Sequence, residues 1–181
     1  VVPKFISNLE AILGQLGMVN AKFDIQLNSS ETFKYNGKDK IQFLLKANKG
    51  GNFKELKKSA SGGELSRIML AVKSILANYV KLPTIMFDEI DTGVSGEISK
   101  KMGDIMKIMS KNMQVFSITH LPQIASKGDW HYKVYKTDID NVTQTQMRLL
   151  THEERVVELA QMLGGTNITE SAMVHAKQLL N

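Results

Sequence analysis

Ser61-Gly62-Gly63-Glu64-Leu65-Ser66-Arg67 decides how this chain reads, together with the apolar run ending Phe87-Asp88-Glu89 and the later Ser117-Ile118-Thr119-His120. A Ser followed three residues on by Glu, ahead of an apolar periodic run, is a capping box opening a helix. Two residues without side chains directly after the Ser leave backbone N–H groups and the positive end of the helix dipole open, a setting for a γ-phosphate. The structural and the phosphate readings are compatible at this site.

Asp88 and Glu89 end an apolar strand-like run, Pro83-Thr84-Ile85-Met86-Phe87. Adjacent carboxylates at a strand end repel one another unless a cation or partner offsets them. Asp88 is then placed to hold Mg²⁺, directly or through water, and Glu89 to orient and deprotonate a water for in-line attack on phosphorus. The bland alternative is a pair of acids capping a neighbouring helix. His120 ends the next strand-like run, where a donor to the γ-phosphate would be needed. His131, His152 and His175 lack metal-ligand spacing and receive no role; the ten methionines fall mostly on apolar helix faces and read as core filling.

One expected part is absent. No window matches Gly-x-x-x-x-Gly-Lys-Ser/Thr, the loop that wraps the β- and γ-phosphates with backbone N–H groups and a lysine. Gly50-Gly51-Asn52-Phe53-Lys54 has glycines but neither the spacing nor the ending, and reads as an ordinary loop. The chain is half of a nucleotide site.

Helical spacing of Phe5, Leu9, Ile12, Leu13 and Leu16 predicts a short amphipathic helix over Phe5 to Met18. Alternating apolar residues predict antiparallel strands over 21–27 and 40–47, separated by the turn-like Asn36-Gly37-Lys38-Asp39. A helix is expected from Glu64 to about Val80, a buried strand over 84–87, a helix over 98–109 and a strand over 113–118. The continuous apolar run at 84–87 is of the parallel-sheet type, covered on both faces. A right-handed β-α-β crossover brings the carboxyl ends of both strands to one sheet edge, so Asp88-Glu89 and His120 belong on one rim. A short helix after Pro122 precedes a hairpin of 130–135 and 142–150, joined by Asp138-Ile139-Asp140-Asn141. Two closing helices follow, the first ending at Gly164-Gly165 in a left-handed cap and the second over about Thr169 to Leu180.

With 181 residues, 43% of them hydrophobic, the chain can bury a core of one domain or lobe. It has no cysteine, which excludes disulfides and thiolate chemistry and fits a reducing compartment. No apolar run approaches the roughly 20 residues needed to span a bilayer. Because it begins at Val1 rather than Met, the chain reads as an excised fragment. A formal charge of +5 and a pI near 9.3 suit contact with a polyanion, or equally a solvated basic surface; the lysines are dispersed apart from groups such as Lys54, Lys57 and Lys58.

Order and spacing make the three elements specific together. Ser61-Gly62-Gly63-Glu64 resembles the ABC-type signature, Ile85-Met86-Phe87-Asp88-Glu89 the Walker B strand, Asp91 in Ile90-Asp91-Thr92-Gly93 the D-loop, and His120 the switch histidine. The longer stretches Ala60 to Arg67, Phe87 to Gly96 and Thr119 to Ala125 resemble the RecN family of bacterial DNA-repair proteins, within the SMC-like ABC-type ATPases. The resemblance covers essentially the whole chain. It implies an α/β fold: the C-terminal lobe of a split ABC-type P-loop ATPase head, with a mostly parallel core sheet flanked by helices and antiparallel strands at the periphery.

On that resemblance, residues 1–20 are the end of a coiled coil or connecting helix and 21–181 the lobe itself. The implied cofactors are ATP and Mg²⁺, bound weakly or not at all by this fragment alone. The implied partners are an N-terminal Walker A lobe, a second head and DNA, with no membrane. Asp88 would hold the metal, Glu89 and His120 would be catalytic, Ser61, Gly62, Gly63 and Glu64 would meet nucleotide held by the opposite head, and Asp91 would couple the two sites. The implied task is double-strand break repair and recombination, in the bacterial cytoplasm at the nucleoid. Rival readings are another SMC-like or RecF-like head, a transporter-type ABC subunit, and a non-catalytic module for DNA or protein docking.

Overall fold

The computed structural model describes residues 1–139, 142–165 and 167–181. Helix α1 (Val2–Gln15) leads into β1 (Lys22–Lys34) and β2 (Gly37–Lys46), then β3 (Lys54–Glu55), α2 (Leu56–Ser59) and α3 (Gly62–Leu76). A crossover follows: β4 (Thr84–Asp88), α4 (Gly96–Met109), β5 (Gln114–Ile118). The chain closes with α5 (Pro122–Ala125), β6 (Tyr132–Ile139), β7 (Val142–Leu149), α6 (His152–Gly164) and α7 (Glu170–Leu180). These strands make an antiparallel sheet β1-β2-β3, a parallel pair β4-β5 and an antiparallel pair β6-β7. The parallel component of this α/β lobe is thus two strands wide.

One apolar cluster holds the site-bearing part. Leu9, Leu13 and Leu16 at the N-terminus meet Ile68 and Leu70 of α3, Phe87 of β4, and Met102 and Met106 of α4, all buried. Full burial of each such side chain is worth about 1.5–3 kcal/mol. A second cluster joins Val156, Leu159 and Ala160 of α6 to Ala172 and Ala176 of α7. Helix α5 bridges the two: Ile124 lies in the first and Ala125 packs on the second. At Gly103 of α4 an added Cβ would stand 3.0 Å from Lys127 Cγ and 3.2 Å from the Gln123 carbonyl. That close approach presses α4 onto α5. Arg155 of α6 donates to the Gly128 carbonyl at 2.7 Å, tying the segment after α5 to α6.

Several expectations shift. Helix α1 begins at Val2, with Pro3 in its first turn where a missing N–H costs nothing. The β1-β2 ladder extends beyond the apolar alternation and turns at Tyr35-Asn36, with Gly37 at φ +103° and a register shift between Ser29 and Lys34. The loop expected around Lys54 instead forms β3, which pairs Leu44 with Glu55 and Leu45 with Lys54, followed by α2. Helix α3 stops at Leu76: the Asn78 and Tyr79 N–H groups bond the Ile75 and Leu76 carbonyls, tightening the last turn instead of extending the helix. Strand β4 is covered on one face only; Ile85 and Phe87 are buried while Met86 is 60% exposed. In the last hairpin the first strand starts two residues later and runs four further than expected, so that Ile139 stands opposite Val142, while the second ends one residue early at Leu149; Asp140 and Asn141 lie outside the described residues. Gly165 caps α6 with φ +76° but ψ −159°, a glycine-type extended conformation instead of the left-handed cap expected at Gly164-Gly165.

Candidate functional site

Parallel register builds the rim. Thr84 pairs with Gln114 and Asp88 with Ile118, and the Glu89 N–H donates to the Ile118 carbonyl at 3.0 Å, carrying the pairing one residue past β4. Asp88 and Glu89 therefore leave one strand where Thr119 and His120 leave its neighbour. Asp88, Glu89 and His120 are all exposed, and among the described residues no side-chain hydrogen bond or ion pair engages them.

Glu89 has φ +45°, the one non-glycine with positive φ among the described residues. Holding a side chain there costs about 1–2 kcal/mol. The surroundings impose it: the Glu89 N–H is tied to β5, and its carbonyl accepts from Thr92 Oγ1 at 3.0 Å. Gly93, at φ +73°, then lets the chain turn back toward α4.

Asp91 is unlike the other candidates. It is 1% exposed, accepts a hydrogen bond from Thr119 Oγ1 on Oδ2, and has no partner for the buried Oδ1. Thr119 Oγ1 accepts in turn from the Leu121 N–H at 3.0 Å. Asp91 is thus bolted to the turn that presents His120, inside the lobe. Thr119 is the residue of this site that sequence reasoning passed over, although it adjoins His120 in the quoted motif; nothing in its spacing pointed 28 residues back to Asp91.

The helix start stands apart from the rim. Ser61 Oγ accepts from the Glu64 N–H at 3.4 Å, while the Ser61 N–H and hydroxyl both donate to Glu64 Oε2 at 2.8 Å, a closed capping box. The N–H groups of Gly62 and Gly63 sit in the first turn of α3, where no intrahelical acceptor exists. A Cβ at Gly62 would meet nothing within 4 Å, and one at Gly63 would lie 3.5 Å from the Thr92 carbonyl. Gly63 thereby brings the helix start against the loop after Glu89. Among the described residues no hydrogen bond or ion pair joins Ser61 or Glu64 to Asp88, Glu89 or His120.

Among the described residues no group of three or more His, Cys, Asp or Glu could enclose a metal. Mg²⁺ normally takes one or two carboxylates and completes its shell with phosphate oxygens and waters. A single exposed carboxylate at Asp88 fits that donor set.

The fold and this rim define a class. No family model matches the chain. The SMC head domain of Pyrococcus yayanosii, solved with a coiled coil and joint, superposes with a TM-score of 0.62 at 19% identity over 99% of this chain and 30% of that one. An SMC ATPase described for its ATP-driven dimerization and DNA-stimulated activation superposes with a TM-score of 0.58 at 20% identity, over 90% of this chain and 93% of that one. The fold is that of an SMC ATPase head. Sequence carries the assignment further: the "DNA repair protein RecN" of Haemophilus influenzae is 40% identical over 98% of this chain, and that of Rickettsia conorii is 42% identical over 96%. The chain belongs to the RecN family. It spans about a third of the length of these relatives, 32% in each case.

Proposed function

We propose that this chain is the C-terminal lobe of a split ATPase head that works in DNA double-strand break repair and recombination, in the cytoplasm at the nucleoid. A Walker A lobe elsewhere in the whole protein would supply the main phosphate and base contacts, and residues 1–20 would be the end of the coiled coil re-entering the head. Two such heads would close over two ATP molecules, each ATP meeting the Ser61-Gly62-Gly63-Glu64 helix start of the opposite head.

In this reading Asp88 holds Mg²⁺, which neutralises the charge developing on the phosphate oxygens. Glu89 orients the attacking water and takes its proton as the bond to the γ-phosphorus forms, and His120 donates to the γ-phosphate. Asp91 couples nucleotide state to head engagement by holding the His120 turn through Thr119. The single observation that carries the reading is the pairing of Asp88 with Ile118, extended by Glu89, which brings acid, base and donor to one sheet edge.

An uncovered surface supports the missing half. Beside the rim-bearing sheet lies an open apolar groove of about 460 Å³, lined by Met69, Val72, Leu76, Leu82 and Met86 among others. Phe116 and Ile118 are also exposed on the adjoining strand. Apolar surface of this extent is what a Walker A lobe would cover.

The test is complementation. The chain alone is expected to hydrolyse ATP negligibly, and to do so measurably once mixed with a separately produced Walker A lobe. Turnover by the pure chain, or no turnover in a demonstrably assembled mixture, would overturn the composite site; the second result would favour a non-catalytic docking module.

A further inference from the structure

Glu89 sits between two anchored peptides. Its N–H donates to the Ile118 carbonyl at 3.0 Å, which holds the peptide before it in register with β5. Its carbonyl accepts from Thr92 Oγ1 at 3.0 Å, which holds the peptide after it. With both peptides fixed, the backbone between them is held at φ +45°.

That angle aims the side chain. φ sets where Cβ stands relative to the preceding peptide, and a parallel strand has φ near about −120°, so Cβ of Glu89 is swung roughly 165° from its place in a continuing strand. Consecutive strand residues point to opposite faces, so a Glu89 in strand conformation would project away from the face of Asp88. The left-handed turn breaks that alternation. A turn with no other duty places glycine at such a position, as this loop does four residues on at Gly93, φ +73°. Here a long carboxylate side chain occupies it, and residues held in such strain gather at functional sites.

Of the two ties, one belongs to any strand end and the other depends on a particular side chain. The Ile118 bond is backbone to backbone and is open to any residue at 89 with an N–H. The Thr92 bond needs a hydroxyl, on an exposed residue whose carbonyl faces Gly63 at the start of α3. One neutral hydrogen bond is of the same order as the strain it opposes, so without it Glu89 would divide between this conformation and relaxed ones.

We propose that Thr92 is a positioning residue for the general base: its hydroxyl locks Glu89 in the left-handed conformation that presents the carboxylate to the attacking water. The inference deepens, and rests on, the reading of Glu89 as the base. Thr92 acts only through Glu89.

The experiment measures steady-state ATP turnover of the head assembled with a Walker A lobe. Thr92→Val keeps the shape and loses the hydroxyl; kcat is expected to fall about tenfold with KM for ATP within about twofold, because the lock acts on the base and not on nucleotide binding. Thr92→Ser restores the donor and is expected to bring kcat back to within about threefold of the parent. Thr143→Val removes another exposed hydroxyl bond, made to Asp138 at 2.6 Å in the β6-β7 hairpin, and is expected to change neither constant. Stability gives a readout independent of turnover: Glu89→Gly is expected to raise the urea midpoint of the chain, since glycine carries no steric penalty at positive φ. Parent-like kcat in Thr92→Val, a Thr92→Ser variant as slow as Thr92→Val, an equal loss in Thr143→Val, or a Glu89→Gly midpoint at or below the parent's would each overturn the proposal. Turnover unmoved by Glu89→Gln strikes the base reading beneath it; turnover lost with Glu89→Gln and unmoved by Thr92→Val strikes the lock alone.

Discussion

Helices α3 and α6 begin with the same device and lead to different surfaces. Ser61 with Glu64, and Thr151 with Glu154, each close a complete capping box, with N-cap N–H to Glu Oε2 distances of 2.8 and 2.9 Å. In α6 the next residues are His152 and Glu153, and Glu154 is further bonded to Arg148 of β7. In α3 they are Gly62 and Gly63, one open to solvent and the other against the Thr92 carbonyl. The box by itself starts a helix and says nothing about phosphate. On the proposed reading, glycines that bare the first turn, and a neighbouring loop that would carry the catalytic pair, separate the α3 start from that of α6.

The sharpest way to break this comparison is to give α3 the residues of α6. Gly62→His with Gly63→Glu is expected to cut ATP turnover of the assembled head by at least about 100-fold, the scale of removing preorganised backbone donors from a reacting centre. Circular dichroism and the urea midpoint of the chain should stay near the parent values, since both positions tolerate side chains in the unassembled lobe. Retained turnover would mean that the glycines serve packing alone.

A subtler comparison truncates the two caps. Ser61→Ala and Thr151→Ala are each expected to destabilise the chain by about 1 kcal/mol in urea unfolding. Only Ser61→Ala should also lower turnover of the assembled head. Equal effects on turnover would remove the functional distinction between the helix starts.

The smallest effect is one of pH. Hydrogen bonding from the Thr151 backbone, then from Arg148, holds the Glu154 carboxyl below its ordinary value. A carboxyl depressed in the folded state adds stability above its unfolded pKa of 4.5, and that contribution is lost as pH falls through the folded pKa. Arg148→Gln should therefore flatten the stability profile below about pH 4.5, measured by urea midpoints across the acid range. An unchanged acid limb would show that Arg148 adds nothing to the stability Glu154 contributes.

What the sequence made legible followed from range. The Ser61-Glu64 box is a contact over three residues, read as a Ser and a Glu ahead of apolar periodicity; the Thr151-Glu154 box has the same pattern and was passed over. The rim was legible because a β-α-β crossover has one hand, so Asp88 and His120 could be assigned to one edge before any distance was known. The Asp91-Thr119 bond was hidden, since it joins two loops 28 residues apart and depends on a threonine with no motif of its own. The distal β1-β2 ladder was hidden for another reason: Asn28 to Lys34 do not alternate, and backbone pairing needs no apolar face when neither side is covered. The open face of β4 reads as buried in sequence because Met86 belongs to an apolar run, while this chain provides cover on one side only.

The central claim is that Glu89 acts as the base at a site completed by a Walker A lobe, and Glu89→Gln in the assembled head tests it most directly. The side chain keeps its size and loses its proton-accepting charge. The account predicts that ATP binding is retained while turnover falls at least about 100-fold, within the range for loss of a positioned general base. Turnover within a few-fold of the parent, with assembly verified, would contradict it.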